Sequence, residues 1–502
     1  MSGGRSGAPA AAHERGNRRL AFTALGLVMA FVLAALILLG GGGDDADRPS
    51  AVPPQAAMGL IPAGALVALH LSTDASRPAV RRAGRIVARL PSWPKLRNDL
   101  LSRLEGRGCG IDLRKDAGKE VAFALLPGRG GTASPLLVTD APARGLPRNG
   151  AQPCGALVVQ RIAGLVAIGE PDALAAAVAV AAGRRAALVR TSVYKRAAKG
   201  LARERVISAW ASGAGARRLL LPIGGLLGTL ASLIEMPGLQ GAVASVVADG
   251  QVARITVRRV SRRGVDAPAF TPTLQRSAPA GTISYTASGD LAGGLRSLLL
   301  LNRASALSTL DELAGGGNGA LKRLADQVPE SAFVVGPGPD GPVITLLARV
   351  RDGAKARAAV RDLEPVLGRL IGAPAGAAFS DADLDGPARR LDIAGSTLAY
   401  RFADEVLAIS TAPSGLQGFR AGAGRLGTTA EFRRVASELP RRVTSLVFFD
   451  PNQLLRLGVD TGTGLEDTLQ DVRDDLARVR AIGIHASGTG GSSTVELSLS
   501  IP

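Results

Sequence analysis

"KEVAFALLPGRGGTASPLLV", residues 119–138, and "ESAFVVGPGPDGPVITLLARV", residues 330–350, share one pattern. Each runs through a short apolar stretch, breaks at a Gly/Pro cluster and resumes as a second apolar stretch. That reads as a β-hairpin. The echo continues outward on both sides. "IPAGALVALHLST" at Ile61 matches "APAGTISYTASGD" at Ala278. "RIAGLVAIGEPDAL" at Arg161 matches "RFADEVLAISTAPSGL" at Arg401. "VASVVADGQVARITVRRV" at Val243 matches "IGIHASGTGGSSTVELSLSI" at Ile482, again hairpin-like.

Amphipathic stretches lie between these strands. "RPAVRRAGRIVARLPSWPKLRNDLLSRL", from Arg77, puts Val80, Ile86, Val87 and Leu90 on one face at helical spacing, with arginines opposite. "DGAKARAAVRDLEPVLGRL", from Asp352, does the same. The chain therefore reads as α+β: two related domains, each an antiparallel sheet with helices packed on one face. At 502 residues it exceeds the size of a single core, usually about 250–300 residues.

The N-terminal stretch "RRLAFTALGLVMAFVLAALILLGGGGDDADRPS" is uncharged from Leu20 to Gly43. As a helix, Leu20 to Gly40 would span about 31 Å, against about 30 Å for a bilayer core. Arg15, Arg18 and Arg19 precede it, and Asp44, Asp45 and Asp47 follow. The positive-inside rule then sets the N-terminus in the cytoplasm and the bulk of the chain outside. A cleaved signal peptide is the competing reading, but its apolar region is usually about 7–15 residues. The expected plan is a cytoplasmic basic tail at 1–19, a transmembrane signal-anchor helix at 20–40, and a linker at 41–56. A first repeat domain at 57–260, a Pro-rich linker at 261–277 and a second repeat domain at 278–502 follow. The expected location is the cell membrane, single-pass, with residues 44–502 extracytoplasmic. On that topology Cys109 and Cys154 are expected to form a disulfide, with two free thiols as the alternative.

The net charge is +18, from 60 Lys+Arg against 42 Asp+Glu. This points either to an anionic partner, such as phospholipid or an acidic envelope polymer, or to composition alone. Nucleic acid is disfavoured: aromatics are 3%, and no stacking or zinc-finger motif is present.

Catalytic motifs are scarce. "TSVYK", from Thr191, holds a Ser-x-x-Lys spacing that serine penicillin-binding enzymes use. Aligned on the repeat, it falls on "TAEFR", so Ser192 meets Ala430 while Thr191 meets Thr429. The shared hydroxyl reads as a helix N-cap instead. The Ser-Asp-Asn and Lys-Thr-Gly elements of those enzymes are missing from the sequence. His13, His70 and His485 lack metal-ligand spacing, and no G-x-S-x-G elbow carries a serine. "GPGPDG" at Gly336 and "PGRGG" at Pro127 read as turns, not phosphate loops. Asp381, Asp383 and Asp385 alternate before a glycine but lack a calcium loop's terminal Glu. No cofactor and no metal is expected.

One stretch stands out as a contact candidate. "LLLPIGGLLGTLASLIEMPGL", residues 219–239, carries large apolar residues at Ile223, Leu226, Leu227, Leu230, Leu233 and Ile234. The rest of that helix is small instead of charged. Its counterpart "GLEDTLQDVRDDLARV" keeps one apolar stripe and a charged face. The stretch reads either as core of the first domain or as a surface for lipid, bilayer or a protein partner.

Taken together, the segments "PAGALVALHLSTD", "LPSWPKLRNDLL", "CGIDLRKD", "KEVAFALLPG" and "DGQVARITV" resemble the bacterial envelope protein family catalogued as domain of unknown function 3352. The resemblance covers roughly residues 20–502 and is strongest over 60–260. It departs after Asp116, where "AGKE" replaces a Pro-Trp-Leu-Gly-like element. The resemblance implies architecture and location, with no activity and no site residues. The function expected is a non-enzymatic envelope binding or scaffold protein for a lipid, polymer or protein. The alternative is a cell-wall hydrolase with an unrecognised site.

Overall fold

The structure, a computed structural model, describes residues 51–91, 94, 118–142, 150–220, 238–265, 268–289, 291, 319–339, 341–370, 373–374, 376–384, 386–393, 396–417, 424–456, 474–488 and 490–502. Among them are nineteen strands, and the pairings within each unit are antiparallel. The chain divides into two compact units, Met1–Gly264 with Gly490–Thr494, and Val265–Thr489 with Val495–Pro502.

The strands of the first unit are β1 (Val67–Ser72), β2 (Glu120–Pro127), β3 (Ala133–Thr139), β4 (Ala151–Cys154), β5 (Leu157–Ile162), β6 (Leu165–Gly169), β7 (Ile207–Ser212), β8 (Leu239–Asp249) and β9 (Val252–Val265). Across the sheet their order is β4-β5-β6-β3-β2-β1-β7-β8-β9. The second unit has β10 (Ser284–Ser288), β11 (Glu330–Gly338), β12 (Gly341–Arg349), β13 (Ser380–Asp383), β14 (Pro387–Ile393), β15 (Ser396–Ala403), β16 (Val406–Ser410), β17 (Ser445–Phe449) and β18 (Ala481–Ser487), and the last strand, β19 (Gly490–Ser500), is divided between the units at Thr494. Its order runs β13-β14-β15-β16-β12-β11-β10-β17-β18. From β5 to β8 and from β15 to β18 the two orders are the same.

The stretch quoted first forms β2 and β3, paired from Val121↔Thr139 to Pro127↔Ala133. Gly128 N donates to Thr132 O at 2.9 Å and closes its turn. Between the strands lie α1 (Pro78–Val87), α2 (Pro171–Ala181), α3 (Ser192–Ala198), α4 (Ala320–Gln327), α5 (Gly353–Leu370), α6 (Ala430–Val435) and α7 (Pro451–Arg456).

One aromatic pair anchors each unit at the same place. Tyr194 of α3 lies 5.7 Å from Trp210 of β7, and Phe432 of α6 lies 5.6 Å from Phe448 of β17, with ring tilts of 56° and 57°. Such a pair contributes about 0.5–1.5 kcal/mol beyond its buried area. Thr191 caps α3 by accepting from Tyr194 N, and Thr429 caps α6 by accepting from Phe432 N.

Several expectations are corrected by these strands and helices. Helices packed on one face of a small sheet understate the strands, which carry most of the described order in each unit, while the described helices are few. Nor is one face left to solvent. In β1 all six positions are buried: Ala68 enters a core with Met58, Leu188 and Tyr194, and Val67, Leu69 and Leu71, pointing the other way, are equally buried. In the second unit Leu398, Tyr400 and Leu407 pack with Ala359, Val360 and Leu363 of α5. Ala399 and Ala408 turn to a different core with Leu416 and Phe448. Strands covered on both faces read as unbroken apolar runs, so alternation did not mark an outer face.

No helix among the described residues is long and apolar enough to cross a membrane. Even α5, 18 residues long, is charged throughout, with Lys355, Arg357, Arg361, Asp362, Glu364 and Arg369. The expected transmembrane signal-anchor at 20–40 lies outside the described residues. The single-pass, cell-membrane and extracytoplasmic expectations thus have no described helix beneath them and do not stand. Of the two cysteines expected to pair, Cys109 lies outside the described residues, and Cys154 is not a free thiol.

Candidate functional site

A groove of about 800 Å³ opens in the first unit, and local chain chemistry explains its shape. Pro171 at the first turn and Asp172 beside it start α2, and the alanine-rich body that follows has high helix propensity. Gly183, at φ +71°, ends it by adopting the left-handed conformation that glycine tolerates. Arg184 N and Arg185 N then turn back to Ala179 O at 2.8 and 3.1 Å. The chain next runs against the segment leading into β1. Ala63 N donates to Ala186 O at 2.9 Å, and Leu188 N donates to Ile61 O at 2.7 Å.

Three walls result. Ala175, Ala176 and Ala179 of α2 form one, Pro62 to Gly64 another, and Leu126, Pro127 and Ser134 at the β2–β3 turn the third. Methyl-sized side chains on α2 are what leave the space open. Polar groups sit at its margin. Ser134 Oγ donates to Glu170 Oε2 at 2.7 Å. Asp172 is bound by Arg129 through both oxygens, at 2.9 and 3.2 Å. Arg185 lines the end beyond the last turn of α2.

The second unit is built differently here. By register with the sheet, Ser410 stands where Gly169 does, and the described residues that follow it form a 3-10 turn, Pro413–Leu416, where the first unit starts α2. A Cβ on Gly415 would fall 2.0 Å from Ser410 Oγ and 2.6 Å from Thr345 Oγ1. The backbone lies directly on the strands, with none of the stand-off that α2 provides.

A second cluster has catalytic residue types. His70 of β1 lies opposite Ser208 of β7, and its Nε2 is 2.9 Å from Glu120 Oε2. Serine, histidine and carboxylate thus share one face of three adjacent strands. His70 is 1% exposed, Glu120 and Ser208 2% each, and Ser208 Oγ has no hydrogen-bond partner among the described residues. Reaction at this serine would need an opening that leads to it. Glu120 has a structural task instead: its Oε1 accepts Ala56 N at 3.0 Å and ties the lead-in segment to the sheet. Nearby, Arg77 donates to Ser72 Oγ at 2.6 Å and to Ala51 O at 2.8 Å. Burial lowers the pKa of Arg77 and of Arg205, and burial raises that of Tyr194.

The residues singled out from sequence fall elsewhere. Ser192 and Lys195 are exposed on the first turn of α3 and are not among the residues that line the groove. Ile223, Leu226, Leu227, Leu230, Leu233 and Ile234, the expected lipid or partner contact, lie outside the described residues. Cys154 ends β4. His485, on β18, pairs in register with Leu446 and is buried. Asp381 binds Arg389 at 3.0 Å and Asp383 Oδ1 accepts Gly386 N at 2.8 Å, so each serves the β13–β14 hairpin. Among the described residues no group of three or more His, Cys, Asp or Glu could hold a metal ion.

Sequence reading missed both the groove and the His70–Glu120 pair. "ALAAAVAVAA" was the visible signal for the first, a helix too small to fill its place. No family model, no curated protein and no solved structure matches the chain. The envelope-family resemblance therefore rests on the quoted segments alone.

Proposed function

We propose that this chain is a non-catalytic binding protein that takes a small, apolar-bodied ligand in the groove of its first unit. The observation that carries this reading is the groove itself, about 800 Å³ with a wall of alanines and a few polar groups at its margin. Ligand sites are commonly about 300–1,000 Å³, apolar in lining and sparing in polar groups. The lining holds no His, Cys or Lys, and its serine and carboxylate, Ser134 and Asp172, are engaged by Glu170 and Arg129.

The competing hydrolase reading has one observation in its favour, Ser208 facing His70. The burial of all three groups argues against it.

Fluorescence titration of the full chain with N-phenyl-1-naphthylamine, a neutral apolar probe, tests the proposal. Saturable binding is expected, weakened at least about tenfold by Ala179→Phe, since one aromatic group would occupy the space the ligand needs. Unfolding curves of the two proteins should coincide. Binding unchanged in the variant removes the groove as the site. Ester or amide hydrolysis abolished by Ser208→Ala would overturn the non-catalytic reading.

A further inference from the structure

Resting on the groove as the ligand site, we infer that its ligand is a monoanionic amphiphile, an apolar chain ending in a carboxylate that Arg185 receives. Two charged side chains line the groove, Asp172 and Arg185. Asp172 is already neutralised, both its oxygens taken by the Arg129 guanidinium. Arg185 has no side-chain hydrogen bond or ion pair among the described residues. Of the two charged side chains that line the groove, Arg185 is thus the one without a charged partner among the described residues, while the Glu170 carboxylate at the margin is held by Ser134.

Placement adds direction to that charge. Asp172 lies in the first turn of α2, Ala175, Ala176 and Ala179 follow along it, and Arg185 stands past its end. From residue 172 to 179 the helix advances about 10 Å. A ligand lying along it would meet methyl groups for most of its length and a guanidinium at one end. A guanidinium presents paired N–H donors that match the two oxygens of a carboxylate. A cationic amphiphile would be repelled there, and a neutral one would leave the charge unused.

Competition of octanoate and 1-octanol for bound N-phenyl-1-naphthylamine on the full chain separates the outcomes. Octanoate is expected to displace the probe at about tenfold lower concentration than octanol, the scale of a hydrogen bond to a charged group. Arg185→Gln should bring octanoate to within about twofold of octanol and leave octanol unchanged. Equal potency of the two on the wild-type chain overturns the inference, and so does an octanoate advantage that survives Arg185→Gln. In both cases the groove stands as an apolar site. If the neutral probe itself fails to bind, the site assignment falls instead, and the inference with it.

Discussion

At the head of β2 in the first unit, a buried carboxylate meets a histidine; at the head of β11 in the second, the carboxylate in the same register meets an arginine. Glu120 pairs with His70 and holds Ala56 N. Glu330 accepts Thr273 N at 2.7 Å and Leu274 N at 2.9 Å, takes the Thr273 hydroxyl, and has Arg349 Nε at 3.7 Å. Both carboxylates tie the lead-in segment to the sheet, but by different partners. Register gives the reason. Opposite Glu330 stands Arg349, whereas opposite Glu120 the first unit carries Asp140, whose Oδ1 accepts Lys119 N and Glu120 N. No cation is available from that strand, and the carboxylate takes its side-chain partner from β1. In the second unit the position of His70 is Ala287 and that of Ser208 is Leu446. The sheet tolerates either set. The differences gather in what covers the sheet, and the groove belongs to the unit that covers it with an alanine helix.

Deleting the carboxylates should produce the largest effects. Removing one partner of a buried pair costs about 3–5 kcal/mol. Glu330→Ala is expected to exceed Glu120→Ala, because it strands two amide N–H groups instead of one. Equilibrium denaturation measures both, and a loss under about 1 kcal/mol for Glu120→Ala, far below that range, would mean that it tethers nothing.

Next comes a transplant between the units. His70→Ala and Ser208→Leu each install the second unit's residue and each should destabilise. Together they should cost at least about 1 kcal/mol less than the sum, as expected for side chains that stand opposite each other on adjacent strands. Strict additivity in the double-mutant cycle would show that the two sites are not coupled.

The caps should behave alike. Thr191→Ala and Thr429→Ala remove hydrogen bonds of 3.3 and 3.2 Å, and each should cost about 1 kcal/mol. A clear inequality in thermal unfolding would break the equivalence of α3 and α6.

The smallest effect concerns pH. Asp450 caps α7 by accepting Asn452 N and Gln453 N, and Ser212, its counterpart, accepts Gly215 N. Burial raises the Asp450 pKa in spite of those two amide donors. A raised folded-state pKa contributes stability that is present below the unfolded value and is lost as pH rises through the folded one. Asp450→Ser should remove that acid-side gain while keeping a cap. Identical pH profiles for wild type and variant would show that the carboxyl contributes no such term.

The hairpins were legible because apolar runs flank Gly/Pro turns, as at 127–132 and 336–341. The caps were legible because Thr191 and Thr429 precede matching aromatic residues. The covering layers were harder to see. Ala68, Ala122 and Ala124 are wholly buried in the sheet, yet alanine suits core and surface alike and left the second face unmarked. α2 has too little variation around its circumference to show which side packs and which side lines a space. His70 and Glu120 are 50 residues apart, and only the register of β1 on β2 brings them together.

Photolabelling of the full chain with an apolar diazirine, mapped by peptide mass spectrometry, tests the central claim most directly. Adducts should concentrate on residues 62–64 and 172–186, and excess octanoate should suppress them. Adducts at 411–416 of the second unit instead, or labelling at 172–186 that Ala179→Phe does not diminish, would contradict the assignment of the groove as the binding site.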